Sequence, residues 1–152
     1  MINVDTTLNN EGFLMGIGSI VRNSFDQVIA AISKPMKGRF SVKEIEAKAI
    51  SYCLHWLKDI NCVIYFIEID ALNVSQSVHN PPHHYGRFHD LIHDIIYQIS
   101  SFTGISLSYV CRSANSVAHG LARYALRMDT DIVWRTVCLA LIEAIVVDER
   151  VH

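Results

Sequence analysis

The sequence has no excess of charge of either sign. Its 152 residues include 13 Lys and Arg and 15 Asp and Glu, which gives a formal net charge of −2 at pH 7. Proteins that bind nucleic acids mainly through phosphate contacts usually carry a basic excess. The composition therefore excludes a strongly basic binding domain, and any nucleic-acid contact would depend on a local basic patch or on bound metal. Because 51% of the residues are hydrophobic, the chain has enough apolar side chains for a globular core.

The sequence also lacks the cysteine spacings of a disulfide framework or a zinc site. It has four cysteines, and no two of them form a CxxC pair. Such cysteines are typically small buried residues of proteins in a reducing compartment. We therefore expect an intracellular protein of the nucleus or cytoplasm, with buried thiols at Cys53, Cys62, Cys111 and Cys138.

A signal peptide and long uncharged hydrophobic runs are absent as well. The N-terminus has no basic segment followed by an apolar one, so we expect no signal peptide. The longest apolar stretch, 132–147, contains Arg135 and Glu143 and is too short and too charged to span a bilayer. We expect no membrane partner, one domain over 1–128, and a C-terminal segment over 129–152 that packs on the domain or serves association.

Hydrophobic periodicity predicts nine elements in the order βββαβααβα. A helix capped by Ser41, with Glu44 as its capping-box partner, follows a loop over 34–40. The almost continuous apolar run over 63–67 is typical of a strand covered on both faces. The order predicts an α/β fold, in which one mixed sheet carries helices on both faces. The predicted strands span 2–8, 13–21, 28–33, 63–67 and 105–111, and the predicted helices span 41–59, 72–78, 88–102 and 114–127.

Three acidic residues stand where a carboxylate is costly or unusual. Asp5 lies inside the first strand, Glu46 lies on the packed side of the first helix, and Asp70 follows the most apolar strand. A buried carboxylate needs a hydrogen bond, a basic partner or a metal. Taken singly, Asp5 could be an edge-strand residue facing water, and Asp70 could cap the helix that starts near Leu72. Taken together, the three would repel one another unless they hold a hard cation such as Mg²⁺ or Mn²⁺.

Several short motifs, in order along residues 2–128, resemble the plant reverse-transcriptase-like branch of the ribonuclease H superfamily. The motifs are INVD at 2–5, GIGSIVR at 16–22, FSV at 40–42 running into EAKA at 46–49, IEIDALNV at 67–74 and RSANSVAHGLA at 112–122. The resemblance implies the ribonuclease H-like fold with its five-stranded mixed sheet. It also implies a plant, retroelement-like context.

The resemblance implies a metal-dependent endonuclease that cuts the RNA strand of RNA–DNA hybrids. Its metal ligands would be Asp5, Glu46 and Asp70, with two Mg²⁺ ions, or Mn²⁺, as cofactor. One ion would activate a water and the other would stabilise the leaving 3′ oxygen, which gives 5′-phosphate and 3′-hydroxyl ends. The nucleic-acid partner would be an RNA–DNA hybrid or double-stranded RNA, bound by Lys37, Arg39, Asn73, Arg112 and Asn115.

The sequence departs from the family pattern at two positions near these carboxylates. His119 stands where the family has a fourth acidic residue, and Thr6 stands where the residue after the first Asp is usually Gly. Imidazole is a poorer ligand for Mg²⁺ than carboxylate. His119 is therefore either a catalytic residue that binds Mn²⁺ or a metal-bound water, or a packed histidine of the last helix. The departures predict reduced or lost turnover within an unchanged fold.

Three other features allow either an ordinary structural role or a functional one. The basic cluster of Lys34, Lys37, Arg39 and Lys43 is either a phosphate-binding patch or a solvated loop. The five histidines within 79–93 are more typical of a solvated surface than of a zinc site. The glycines of the motif at 16–18 lie inside a strand, where they favour a bulge or a close backbone approach.

Two rival functions remain open beside the nuclease. The first is a catalytically degenerate relative that binds nucleic acid without cutting it. The second is a protein-interaction domain that has kept only the scaffold, because a fold does not determine a function. The apolar segment from Ile132 would then serve a partner or a dimer.

Overall fold

The structure, a computed structural model, describes residues 1–9, 11–136 and 139–151. In this part of the chain six strands form one mixed sheet in the order β5-β4-β1-β2-β3-β6. The pairs β1–β4 and β4–β5 are parallel, and the other pairs are antiparallel. The elements are β1 (Ile2–Leu8), β2 (Leu14–Arg22), β3 (Val28–Lys37), α1 (Val42–Asp59), β4 (Phe66–Ile69), α2 (Leu72–His79), α3 (Arg87–Ser100), β5 (Ser106–Tyr109), α4 (Ser116–Ala125), β6 (Ile132–Arg135) and α5 (Leu139–Val151), with a 3₁₀ turn at Arg112–Asn115 before α4.

Helices cover the sheet on both faces, as the order of elements predicts. The larger core cluster joins sheet residues such as Ile17 to α1, α2 and α3, and the smaller one joins Ile20 to α4 and α5. Ile17 and Ile20 face opposite ways because side chains alternate along a strand. The predicted capping box at the start of α1 is confirmed, since the Glu44 N–H donates to Ser41 Oγ at 3.3 Å and the Ser41 N–H donates to Glu44 Oε2 at 3.2 Å.

The predicted number of strands was too small by one. Residues 132–135, which we expected in a terminal segment, form β6 and pair with Ala30–Ser33 of β3. The predicted loop at 34–40 is also shorter than expected, because β3 continues to Lys37 through Pro35. The pairing with β6 ends at Ser33, so Pro35 lies on an open edge, where a residue without an N–H group is tolerated.

The strand β4 is covered on one face only. We predicted a strand at 63–67 with both faces buried, whereas the strand begins at Phe66, whose side chain is 57% exposed. Ile67 and Ile69 point into the larger core. On the opposite face of the sheet, α4 packs on β1, β2 and β3. The strand β4 lies to the side of this helix.

The cysteines only partly match their predicted burial. Cys53 is buried and Cys62 is half-buried, whereas Cys111 is exposed because it begins the surface turn before α4. None of these three forms a disulfide, and Cys138 lies outside the described residues. No helix in the described part of the chain is long and apolar enough to cross a membrane.

Two glycines of β2 let α4 approach the sheet closely, which confirms one of the two roles expected for them. A Cβ atom at Gly16 would overlap the carbonyl oxygen of Ala122, and one at Gly18 would overlap that of Ala118. The α4 backbone therefore rests directly on the β2 backbone. Gly18 pairs with Asp5 across the β1–β2 ladder, so this contact brings α4 next to Asp5.

Candidate active site

The register of two parallel strands places Asp5 beside Asp70. Val4 of β1 is paired with Ile69 of β4, and the two aspartates are the next residues along each strand. The strand β1 lies between β4 and β2, so the edge-strand alternative for Asp5 is wrong. The side chains of Asp5 and Asp70 are 10% and 11% exposed.

Glu46 reaches the same place from α1, which packs on the face of the sheet opposite to α4. Its side chain is half-buried at the second turn of the helix. The three carboxylates thus line one small pocket, although they are far apart in the sequence. The residues of this pocket are Val4, Asp5, Thr6, Glu46, Ile50, Ile69, Asp70 and Ala71.

Both oxygens of the Asp5 carboxylate are engaged by the protein. The backbone N–H of Thr6 donates to Oδ1 at 2.7 Å. The Nδ1 atom of His119 lies 2.7 Å from Oδ2, and the imidazole is about one-third exposed. His119 is therefore in direct contact with the proposed site, rather than packed elsewhere on α4.

Asp70 is held by two residues of the turn before α4. Asn115 Nδ2 donates to Asp70 Oδ1 at 3.2 Å, and Arg112 Nε lies 3.6 Å from Asp70 Oδ2. The alternative that Asp70 caps α2 is wrong, because the N-cap residue of α2 is Ala71 and no side chain caps this helix.

Asn115 does not lie at the surface, as a nucleic-acid contact would require. Only 1% of the residue is exposed, and its Nδ2 atom donates both to Asp70 and to the Val4 carbonyl oxygen at 2.8 Å. The expected role in binding nucleic acid is therefore corrected: its side chain joins β1, Asp70 and the turn before α4.

Burial, and after it the crowding of the carboxylates, raises the pKa of two of them. Burial raises the pKa of Glu46 to about 7, the negative charges of Asp70 and Asp5 add to this effect, and Arg112 opposes it. Burial also raises the pKa of Asp70, followed by the charge of Asp5 and a hydrogen bond with it, whereas the hydrogen bond from Asn115 lowers it. A cation in the pocket would relieve this repulsion.

In the absence of divalent ions, the variant Glu46→Gln is expected to be more stable than the wild type at about pH 8 but not at about pH 4. The pKa of Glu46 is about 7 in the folded protein, above its ordinary value of 4.5. Between pH 4.5 and about 7 the folded protein therefore holds a proton that the unfolded chain has lost, and its stability falls as the pH rises through this range. The difference should be on the order of 1 kcal/mol, since Glu46 is partly solvated. Urea unfolding of both proteins in a chelating buffer at the two pH values measures it; a pH-independent difference would contradict the expectation.

An open groove with a volume of about 540 Å³ adjoins the carboxylate pocket. Glu46 and Asp70 form part of its wall, and the exposed residues Lys43 and Asn73 lie beside them. The groove offers one cation and one amide next to the acids. Its residues are Ser41, Val42, Lys43, Glu46, Asp70, Ala71, Leu72 and Asn73.

The other predicted basic contacts lie in different local surroundings. Arg112 is 81% exposed beside Asp70. Arg39 is exposed and stacks over the Phe13 ring at 4.4 Å, and Lys37 lies at the exposed end of β3, in a second groove. Lys34, by contrast, is paired with Asp131 at 2.9 Å, so the basic cluster divides into a paired and an exposed part.

Sequence reasoning missed two polar residues that contact this network. Asn3, which is 3% exposed, donates to Glu68 Oε2 at 3.0 Å and to Asn115 Oδ1 at 3.2 Å. Asn3 precedes Asp5 by two positions, as Glu68 precedes Asp70, so each lies on the same side of its strand as that acid. That spacing was the available signal.

The donor set fits a hard divalent cation in its chemistry, since carboxylate oxygens are the ligands that Mg²⁺ and Mn²⁺ prefer. The described residues contain no ready-made group of three or more His, Cys, Asp or Glu with metal-binding geometry. In this pocket, Asp5 Oδ2 lies 2.7 Å from His119 Nδ1, and Asp70 Oδ1 accepts a hydrogen bond from Asn115. A cation on Asp5 Oδ2 would share this oxygen with His119 or displace it, whereas the bond from Asn115 leaves a lone pair of Asp70 Oδ1 free.

Solved structures with a similar fold include ribonucleases H. RNase H1 of Halobacterium salinarum superposes with a TM-score of 0.71 at 18% identity, over 83% of this chain and 96% of that one. The N-terminal RNase H domain of a Mycobacterium tuberculosis protein gives 0.71 at 19% identity, over 83% and 91%. LC11-RNase H1, isolated from compost and solved in complex with an RNA/DNA hybrid, gives 0.67 at 14% identity, over 83% and 95%.

Sequence comparison gives the family. No curated protein sequence matches the chain. The family model described as reverse transcriptase-like matches residues 3–125, which include every strand and helix from β2 to β5, most of β1 and all of α4. The chain therefore has the ribonuclease H fold and belongs to the reverse transcriptase-like family.

Proposed function

We propose that the protein is a divalent-metal-dependent endonuclease that hydrolyses the RNA strand of RNA–DNA hybrids and leaves 5′-phosphate and 3′-hydroxyl ends. The observation that carries the proposal is the convergence of Asp5, Glu46 and Asp70 in one pocket beside an open groove. The finer placement in the plant branch belongs to the same proposal. It rests on the motifs around Asp70 and His119.

Asp5, Glu46 and Asp70 would hold Mg²⁺ or Mn²⁺. The bound metal supplies a Lewis acid that stabilises charge on a phosphate and lowers the pKa of a bound water. The protein's own groups would position the substrate: Lys43 and Asn73 line the groove beside the acids, and the exposed guanidinium of Arg112 stands next to Asp70. Arg112 is suited to a phosphate because its fork of N–H donors matches phosphate oxygens.

The partner would be a duplex with at least one RNA strand. Its contacts would be few, because the net charge of −2 provides no general attraction to phosphates. Lys37, Arg39 and Arg112 are exposed and would provide the local basic patch. The LC11 relative with a bound RNA/DNA hybrid supports this choice of partner.

A second function, binding without cutting, is favoured by the Asp5–His119 contact. Nδ1 of His119 occupies one oxygen of the central carboxylate at 2.7 Å. If this contact persists with substrate bound, the site lacks one ligand and turnover is lost while the groove still binds a duplex.

A cleavage assay on a labelled RNA–DNA hybrid distinguishes these two functions. We expect cutting by the wild type with Mg²⁺ or Mn²⁺, and its loss in Asp70→Asn, which keeps the side-chain shape but removes the charge. Asp94→Asn, on the exposed side of α3, is the matched control and should cut like the wild type. If neither metal supports cutting above the Asp70→Asn level, the nuclease proposal is wrong; hybrid binding that weakens with salt would then support the second function.

A further inference from the structure

A chain of hydrogen bonds links Glu68, on the uncovered face of β4, to the carboxylate pocket at the end of the same strand. It begins at Glu68, whose Oε2 accepts from Asn3 Nδ2 at 3.0 Å. Asn3 Nδ2 also donates to Asn115 Oδ1 at 3.2 Å, and Asn115 Nδ2 donates to Asp70 Oδ1 at 3.2 Å. The two amides in the middle are 3% and 1% exposed.

The order of donors and acceptors along this chain allows only one orientation of each amide. A carboxylate such as Glu68 is an acceptor when ionised, so the NH₂ group of Asn3 must face it. The second hydrogen of that NH₂ group then meets the oxygen of Asn115, which turns the NH₂ group of Asn115 toward Val4 and Asp70. Rotating Asn115 by half a turn would set its oxygen against two other oxygens.

The backbone also holds Asn3 in place. Ser19 Oγ of β2 donates to the Asn3 carbonyl oxygen at 2.9 Å, and Asn3 is the register partner of Glu68 in the parallel β1–β4 pair. The Asn3 amide can therefore move mainly by rotation about its side-chain bonds, and the hydrogen bond to Glu68 sets that rotation.

We infer that Asn3 and Glu68 are positioning residues, which orient Asn115 so that it holds the Asp70 carboxylate in the geometry needed for a cation. This inference rests on the proposed metal site and adds two residues that do not line the pocket. Removal of a residue that hydrogen-bonds to a metal ligand and orients it typically lowers metal affinity by about 10- to 100-fold.

The test compares Mn²⁺ affinity, measured by calorimetry, in four variants of the full chain. In Asn3→Leu and Glu68→Ala we expect the dissociation constant to rise about tenfold. Glu68→Gln should remain within about threefold of the wild type, because its amide oxygen can still accept from Asn3. Since Glu68→Ala and Glu68→Gln both remove the charge, a difference between them reports the hydrogen bond rather than long-range electrostatics.

Ser33→Ala is the control for a general loss of packing. It removes a buried hydrogen bond to the Leu121 carbonyl oxygen, which is not part of the amide chain, so the metal affinity should stay within about twofold of the wild type. Equal affinities in Glu68→Ala and the wild type, or an equal loss in Glu68→Ala and Glu68→Gln, would overturn the inference.

A second readout does not depend on metal binding. In chelating buffer, the side-chain NH₂ signals of Asn115 in a ¹H–¹⁵N spectrum should move in Glu68→Ala and stay near their wild-type positions in Glu68→Gln. If the wild type binds no Mn²⁺, the proposed function fails on its own, and unmoved Asn115 signals in Glu68→Ala would separately show that Glu68 does not orient the amide chain.

Discussion

Replacing Gly18 with alanine is expected to destabilise the fold by at least about 3 kcal/mol, because the new methyl group has no space to occupy. It would overlap the carbonyl oxygen of Ala118 and the backbone nitrogen of Ala122. These are backbone atoms of a helix, which cannot rotate away as a flexible side chain does. The helix α4 would have to lift from β2, and the contact between His119 and Asp5 would lengthen.

Urea unfolding of the variant, monitored by circular dichroism, measures this loss. Gly12→Ala is the matched control, since no atom lies within 4 Å of its Cβ position and only its positive φ of 72° opposes alanine. That conformation costs about 1–2 kcal/mol. Similar losses in the two variants would show that the close approach of α4 to β2 has little energetic weight. A variant too unstable to purify would agree with the expectation if Gly12→Ala folds.

Replacing His119 with aspartate is expected to increase Mn²⁺ and Mg²⁺ affinity by about tenfold or more, because it adds a carboxylate and releases another. Nδ1 of His119 now occupies Asp5 Oδ2 at 2.7 Å. The substitution removes this contact and puts an acid on the helix that faces Asp5. Without metal, the added negative charge should lower stability, since Glu46 and Asp70 already have raised pKa values from burial and mutual repulsion.

Calorimetric titration and the metal-induced rise in melting temperature measure this gain. His119→Asn separates the two causes, since it removes the imidazole without adding a charge. His93→Asp, on the exposed side of α3, controls for the charge of the whole protein. If His119→Asp binds metal no better than His93→Asp, then His119 does not restrict the site. Higher affinity with increased hybrid cleavage would indicate that the natural residue attenuates the enzyme.

Local sequence patterns predicted most of the elements, for a reason visible in the capping box at Ser41. That motif needs only two side chains three residues apart, so a short stretch of sequence is enough to predict it. The alternation along β1 and the helical period of α1 likewise report burial directly. The bounds of β3 and the existence of β6 were missed because an edge strand is stabilised by its partner, here the pairing of Ala30–Ser33 with Ile132–Arg135.

The same distinction holds for the site: residues marked by a local pattern were predicted, and contacts between distant residues were not. Asp5, Glu46 and Asp70 were recognised in the sequence because each is an acid in an apolar local pattern. The burial of Asn115 and the network that includes Asn3 and Glu68 were not, because these contacts join residues up to 112 positions apart.

The sequence by itself determined the order of the elements from β1 to α4, the family and the presence of three acids in apolar surroundings, because each depends on residues that are close along the chain. Only the tertiary structure decided what the acids contact. The glycine contacts of β2 bring α4 onto the sheet, and this approach places His119 against Asp5. How each acid is held depends on such distant contacts, since His119 Nδ1 lies 2.7 Å from Asp5 Oδ2 and Asn115 Nδ2 donates to Asp70 Oδ1.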